Sequence, residues 1–265
     1  MRAPPCPQEA PARWRGLWSL FRKELLRFLK VPLQTLLAPV VTAALYLLVF
    51  SHALRQSPPV YGTLDYESFL VPGLVMMSLI QNAFANSSSS LIQSKVTGNL
   101  VFVLLAPLSY WEFYLGYLLA AMVRGLLVGV GVLLVALPFA SGLGLHHPAY
   151  ALAFALLGGA LLGTLGVVAG IHSEKFDQLA GFQNFVILPL SFLSGVFYSL
   201  HSLPDFWRQL SWLNPFFYLI DGFRYGFFGV SDADPGLSLA VASSSLAALA
   251  GLTLHLLRTG YRLRP

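Results

Sequence analysis

Six apolar stretches set the rhythm of the chain. Residues 33–53, 69–92, 113–139, 149–171, 183–200 and 237–257 are each nearly free of charge. Each is close to the roughly 20 residues that an α-helix needs to cross a bilayer core of about 30 Å, so the pattern predicts six transmembrane helices. The first contains Pro39 and is expected to kink there. A secretory signal peptide is the ordinary alternative for a first apolar segment. This one follows a basic leader of about thirty residues, exceeds a signal's apolar region and lacks a small-residue cleavage site, so it is expected to remain in place.

Three further segments are apolar without being long enough to cross. On a helix over 14–30, Trp14, Leu17, Trp18, Phe21, Leu25, Phe28 and Leu29 share one arc, with Arg15, Arg22, Lys23, Arg27 and Lys30 mostly opposite. That arrangement fits a helix lying in the cytoplasmic interface, and a simple topology-setting leader fits the same residues. Residues 100–106 are strongly apolar but confined between Thr97-Gly98-Asn99 and Pro107, which predicts a short cytoplasmic helix. It either packs on its own spans or presents Val101, Phe102, Val103, Leu104 and Leu105 as a partner surface, the usual meaning of such a patch. Residues 203–213 and 215–228 read as two short helices broken at Asn214-Pro215, because proline disfavours helix in the residue before it. They are expected to dip into the outer leaflet with Trp207, Trp212, Tyr218 and Tyr225 at headgroup depth.

Composition agrees with the pattern. Of 265 residues 56% are hydrophobic and 10% charged, against about 25% charged in a soluble domain, which excludes an ordinary soluble fold. Six crossings put both termini on one side, and twelve of the sixteen Lys and Arg residues fall there: Arg2, Arg13, Arg15, Arg22, Lys23, Arg27, Lys30, Lys95, Lys175, Arg258, Arg262 and Arg264. Arg55, Arg208 and Arg224 fall opposite, together with Asp65, Glu67, Asp205, Asp221, Asp232 and Asp234. The positive-inside rule makes the terminal side cytoplasmic. The basic residues sit at the ends of apolar segments rather than along a groove, so a nucleic-acid partner is not expected. The fold class is therefore all-α integral membrane protein: a leader and interface helix over 1–30, then one six-span domain over 31–265 with a short cytoplasmic helix and an external re-entrant hairpin.

Chemistry is sparse. Cys6 is the only cysteine, so an intramolecular disulfide is excluded, and no metal site is expected from the adjacent pair His146-His147. No Gly-Lys pair occurs, hence no Walker A loop, and the chain is not expected to hydrolyse ATP alone. Asn86-Ser87-Ser88 matches a glycosylation sequon but falls inside a span. Asn82, Asn86, Ser89 and Gln93 share one face of the second span, with Gln81 and Ser90 nearby; such a face in lipid is a helix contact or the lining of a path. Arg124 lies about 17 Å into the third helix, and is either a functional intramembrane charge or an interfacial one. Gly125/Gly129, Gly159/Gly163 and Gly166/Gly170 permit close helix packing. Glu174, Lys175 and Asp177 read as a solvated loop cluster. Ser141 and His255 make a poor protease dyad, since Pro138-Phe139-Ala140 lacks the expected glycine and the two residues lie near opposite membrane faces. A passive channel or membrane scaffold is the alternative that needs no ATPase.

In order along the chain, Phe69-Leu-Val-Pro-Gly-Leu-Val-Met-Met-Ser78, Thr97-Gly-Asn-Leu with Leu104-Leu-Ala-Pro107, Phe176-Asp177, Gly195-Val-Phe-Tyr-Ser-Leu200, Leu213-Asn-Pro215 and Gly222-Phe-Arg-Tyr-Gly226 form one set. This set resembles the type-2 ABC exporter permeases over about residues 18–258. It is most similar to the small bacterial inner-membrane branch that includes nodulation-factor, drug and polysaccharide exporters. The resemblance implies a homodimer in membrane lipid, driven by two copies of a separate ABC ATP-binding subunit. This chain would bind no cofactor, and ATP and Mg would sit on the partner. It also implies that Lys95, Val101, Phe102, Leu104, Leu105 and Pro107 belong to a coupling helix (about 95–107) docking the ATPase, with Lys175, Phe176 and Asp177 as a second contact. Trp14, Trp18, Phe21, Arg22, Lys23 and Arg27 would form the interface helix beside it. Asn82, Asn86, Ser89, Gln93 and Arg124 would line the substrate path, and Trp207, Trp212, Asn214, Pro215 and Arg224 would belong to the external hairpin (about 203–228) capping it. The family usually carries a glutamate just after the Thr97–Leu100 motif; Val101-Phe102 stands here instead, which implies a more apolar docking surface. The substrate would be amphipathic, and nothing in the sequence chooses among lipid, drug and glycan.

Overall fold

A computed structural model describes residues 14–53, 60, 64–140 and 142–262. Cys6, Arg2, Arg13, Arg55, Ser141 and Arg264, used in the sequence argument, lie outside the described residues. The chain builds α1 (Arg15–Leu29), a π turn (Leu33–Leu37) running into α2 (Ala38–Ala53), α3 (Tyr66–Val96), α4 (Leu100–Leu105), α5 (Tyr110–Ala136) and α6 (Pro148–His172). Then follow α7 (Phe176–Phe182), a second π turn (Gln183–Ile187), α8 (Leu188–Phe192), α9 (Asp205–Trp212), α10 (Pro215–Phe228) and α11 (Pro235–Thr259). Among the described residues no sheet forms; Val60 and Leu64 pair as an isolated bridge.

Among the described residues five helices are long and apolar enough to cross a membrane: Leu33–Ala53, Tyr66–Val96, Tyr110–Phe139, Pro148–His172 and Pro235–Thr259. The expected crossing over 183–200 is different. Its helix starts seven residues earlier, at Phe176, passes through the second π turn and stops at Phe192. Asp177 in the first turn of α7 suits the helix dipole, and Gly195, at φ 75°, supplies a left-handed turn that L-residues resist. The segment still runs from end to end of the bundle. Lys95 donates to the carbonyls of Ile171 and Ser173 at one end of α3, and Tyr66 donates to the carbonyl of Phe197 at the other. Those two anchors stand about 44 Å apart along α3 at 1.5 Å per residue.

α3 is the buried centre, packed between α5 and α6. Glycines set the spacing: a Cβ on Gly125 would lie 2.8 Å from the Leu79 carbonyl, and one on Gly166 would lie 2.5 Å from that of Phe84. α10 fills the far end against α6 and α3, and Gly226 rests on the backbone of Ala151. α2 and α11 keep most of their surface outward, where Val41, Leu45, Leu48 and Leu252 offer an apolar exterior.

The single apolar arc expected of α1 is divided. Leu20, Glu24 and Phe28 are buried on the side that meets α5, whereas Trp14 and Trp18 are 70% and 63% exposed. The helix has three sides, not two: one docked, one apolar and open, one basic. Gly116 on α5 admits the docked side, since a Cβ there would sit 2.7 Å from Leu20.

Candidate functional site

Polar and exposed-apolar residues gather in four places. At the end of the bundle where α3 terminates, six-residue α4 is too short to persist alone and is pinned by Leu100. That side chain is buried with Leu20, Leu91, Phe113, Tyr117, Val167 and Ile171. The rest of α4 faces outward: Phe102 and Leu105 are 73% and 77% exposed, and Val101, Leu104 and Pro107 are exposed too. Lys95 ties the end of α3 to the end of α6. Lys175, Phe176 and Asp177 are exposed in the turn beyond α6. A cavity of about 550 Å³ separates α4 from α1, lined by Gly16, Leu20, Phe102, Val103 and Leu108, with Arg15, Lys23 and Glu112 among its polar groups.

One turn deeper is a knot of buried charge. The Glu24 carboxylate lies 3.0 Å from Lys23 Nζ and accepts from Arg27 Nε at 3.2 Å. Arg27 also donates to the backbone and side-chain oxygens of Asn86 at 2.9 and 3.0 Å, and to Ser89 Oγ at 3.4 Å. Further along α3, Arg124 donates to Asn82 Oδ1 at 3.1 Å from inside the bundle. Of the polar face expected on α3, Asn86 and Ser89 are thus engaged by α1, Asn82 is engaged by α5, and Gln93 is exposed at the inner end. Arg22 and Phe21 take no part in the knot.

Asn82 has a second neighbour. A cleft of about 310 Å³ opens between α2, α3 and the second π turn, and Gln34, Thr42, Tyr46, Ser78, Gln81, Asn82 and Gln183 supply its polar wall. Gln34 stands in the first π turn and Gln183 opens the second. π turns inside α-helices are frequent at functional sites. Gln34 and Gln183 were not singled out by sequence reasoning; the available signal was a carboxamide in the opening turn of an otherwise apolar helix. Glu24 was also missed, although it is the only acid on a basic helix.

At the opposite end, Arg224 departs from expectation. Expected in the external hairpin, it is fully buried: its guanidinium lies 3.8 Å from the centroid of the Phe69 ring and donates to the Gly195 carbonyl at 2.9 Å. The reason is that α10 is a core helix, with Tyr218 buried as well. The hairpin break falls where proline placed it. Asn214 caps α10 by accepting from the Phe216 amide and donates to the Leu190 carbonyl, while Pro215 starts the helix. Trp207 and Trp212 remain exposed on α9. Asp221 accepts the amides of Asp232 and Ala233, and Asp232 accepts from Ser199, Leu200 and His201, which lashes the loop after α10 to the turn before α9.

Comparison with known proteins gives one consistent result. The ABC-2 type transporter family model matches residues 15–228. The inner membrane transport permease YadH of Escherichia coli (strain K12) is 38% identical over 219 residues, 83% of this chain and 85% of YadH. Nodulation protein J of Rhizobium leguminosarum bv. trifolii is 26% identical over 214 residues, 80% of this chain and 79% of its own length. The probable multidrug ABC transporter permease YbhR of E. coli K12 is 24% identical over 163 residues, 60% of this chain and 43% of YbhR. The family match starts at the first residue of α1 and ends at the last of α10, taking in the outward-facing α4, the charge knot, the cleft and the hairpin, so the chain belongs to the ABC-2 type transporter family as a type-2 ABC permease.

Proposed function

We propose that the protein is the permease half of an ATP-driven exporter in a bacterial inner membrane, working as a homodimer with two copies of a separate ABC ATPase subunit. The observation that carries this reading is α4: a six-residue helix anchored by Leu100 that turns Val101, Phe102, Leu104 and Leu105 to solvent at the end where the chain's basic residues collect. Such a patch is costly unless a partner covers it. ATP and Mg are held by the partner. The segment 176–192 supplies the sixth crossing, which leaves both termini cytoplasmic, and Phe176 with its neighbours is the smaller contact to the ATPase. Substrate moves outward, and the two states of the ATPase must favour different states of the spans for transport to be driven. α4 meets α3 and shares a buried cluster with α1, whose Glu24–Arg27 knot grips α3, so a push on α4 is delivered to the central helix.

The test is purification of the tagged full chain in mild detergent, mass spectrometry of what accompanies it and an ATP hydrolysis assay. A Walker-motif subunit in near-stoichiometric amount is expected, and Leu105→Asp should remove it while the permease still inserts. An ATPase-free wild type, or Leu105→Asp indistinguishable from wild type, overturns the reading in favour of a passive channel or scaffold.

A further inference from the structure

The cleft between α2, α3 and the second π turn has a definite chemical sign. Six of its polar residues, Gln34, Thr42, Ser78, Gln81, Asn82 and Gln183, come from three separate segments. None of the residues lining it is charged. Gln81 and Asn82 lie halfway along α3, at the depth where water is scarcest and each unmatched polar group is most expensive.

The wall's carboxamides carry donors and acceptors alike, and part of that capacity is already engaged. Arg124 occupies Asn82 Oδ1, and Asn82 Nδ2 spends one N–H on the Ser78 carbonyl, so that carboxamide has a donor left and an acceptor engaged. Thr42 spends its hydroxyl proton on the Ala38 carbonyl. Gln81 Nε2 has no partner at all. Behind this wall stand Arg124 on α5 and Arg27 on α1, and the carboxylate nearest to them in the knot, Glu24, is already paired with Lys23 and Arg27. A cation entering the cleft would meet the Arg124 guanidinium behind Asn82 and no carboxylate on the wall, the charge of Arg27 being paired with Glu24. An acceptor oxygen would meet spare N–H groups.

We infer that this cleft holds the headgroup of the transported amphiphile and selects an uncharged or anionic head rich in acceptor oxygens, a glycan or a phosphate, while rejecting cationic heads. The inference rests on the transport reading above and adds the substrate class. At about 310 Å³ the cleft is at the small end of ligand sites, large enough for a headgroup and too small for a whole lipid. Leu74, Met77 and Ala85 continue the wall in apolar material for the first part of a chain. Each of the two π turns carries one of the wall's glutamines.

The full chain in lipid nanodiscs is tested with three radiolabelled probes sharing one dodecyl chain, each below its micelle concentration: dodecyl maltoside, dodecyl phosphate and dodecyltrimethylammonium. Wild type is expected to bind the maltoside, the phosphate or both at least about tenfold more tightly than the ammonium, the scale of one to two buried hydrogen bonds. Whichever binds best names the source of the acceptor oxygens. Gln81→Leu should weaken that probe about tenfold, and Gln81→Glu should raise ammonium binding, a gain that misfolding cannot imitate. Equal or stronger binding of the ammonium by wild type overturns the inference, as does indifference to both Gln81 variants. The assay contains no ATP and no partner subunit. Failure here therefore leaves the docking of α4 standing, and failure of the co-purification leaves this selectivity to be read on its own terms.

Discussion

Glu24 shows how much a single residue can differ from what its type suggests. On a helical wheel it falls between Leu20 and Phe28, and its carboxylate is fully buried and held by Lys23 and Arg27, with Arg27 reaching on to Asn86 and Ser89. Removing one partner from a buried pair strands the other. Glu24→Gln and Arg27→Gln are each expected to lower stability by about 2 kcal/mol, reduced from the fully buried case because Lys23 and Arg27 keep contact with solvent. The double variant should cost clearly less than the sum. Thermal unfolding in detergent measures the three, and hydrogen exchange should rise in α1 first; additive losses would mean that the two side chains act separately. Arg224 poses the same question at the other end. Lysine keeps the charge but not the planar stack on Phe69 or the reach to Gly195, so Arg224→Lys should still lose about 2 kcal/mol, with a lowered unfolding temperature as the readout. Neither burial was legible in the sequence. A pattern of residues along one helix reports which positions share a side; it says nothing about whether that side meets lipid, water or another helix.

Among the elements, those written by local chemistry were read well. A helix over Arg15–Leu29, the short helix after Thr97-Gly98-Asn99 and the break at Asn214-Pro215 all appear where apolar runs and proline placed them. The segment 176–192 was misplaced because its helix begins in a charged loop and is carried through a π turn, and i→i+5 bonding leaves no periodic trace in five residues. Gln183, at the start of that π turn, was hidden as a cleft residue for the same reason. Small-xxx-small pairs, weak as sequence evidence in a glycine-rich chain, include some of the close helix contacts, at Gly125, Gly166 and Gly170. Gly166→Ala would drive a methyl to 2.5 Å from the Phe84 carbonyl, and backbone cannot yield as a side chain can. A marked loss of folded, monodisperse protein is expected. Gly251→Ala in α11 meets nothing within 4 Å and should be neutral or stabilise by up to about 1 kcal/mol through helix propensity. If size-exclusion profiles of the two variants are alike, the α3–α6 contact is looser than its geometry.

For the whole molecule the open quantity is the number of crossings, because parity decides which compartment each end faces. Length and hydropathy identify five helices, and five crossings would put α1 and the end of α11 on opposite sides. The hydrogen bonds say otherwise about the bundle itself. Lys95 meets the end of α6, Arg262 donates to the His172 carbonyl in the same place, and Tyr66 meets Phe197 at the far end. The chain must therefore travel toward the far end of α3 between Ser173 and Phe197: five residues of π helix and twelve of α-helix cover about 25 Å of that path, and the non-helical residues on either side, with the reach of the Lys95 and Tyr66 side chains, complete it. Charge agrees with this path: Lys95, Lys175, Arg258 and Arg262 collect at one end, Asp205, Asp232 and Asp234 at the other. Labelling decides it. In a Cys6→Ser background, single substitutions Asn99→Cys, Ser202→Cys and Tyr261→Cys place a thiol at exposed positions on the two ends. With six crossings, a membrane-impermeant maleimide applied to intact cells should label only the Ser202→Cys protein, and the other two should react once the membrane is opened. With five, Ser202→Cys would be protected beside Asn99→Cys, and Tyr261→Cys would be the one labelled from outside.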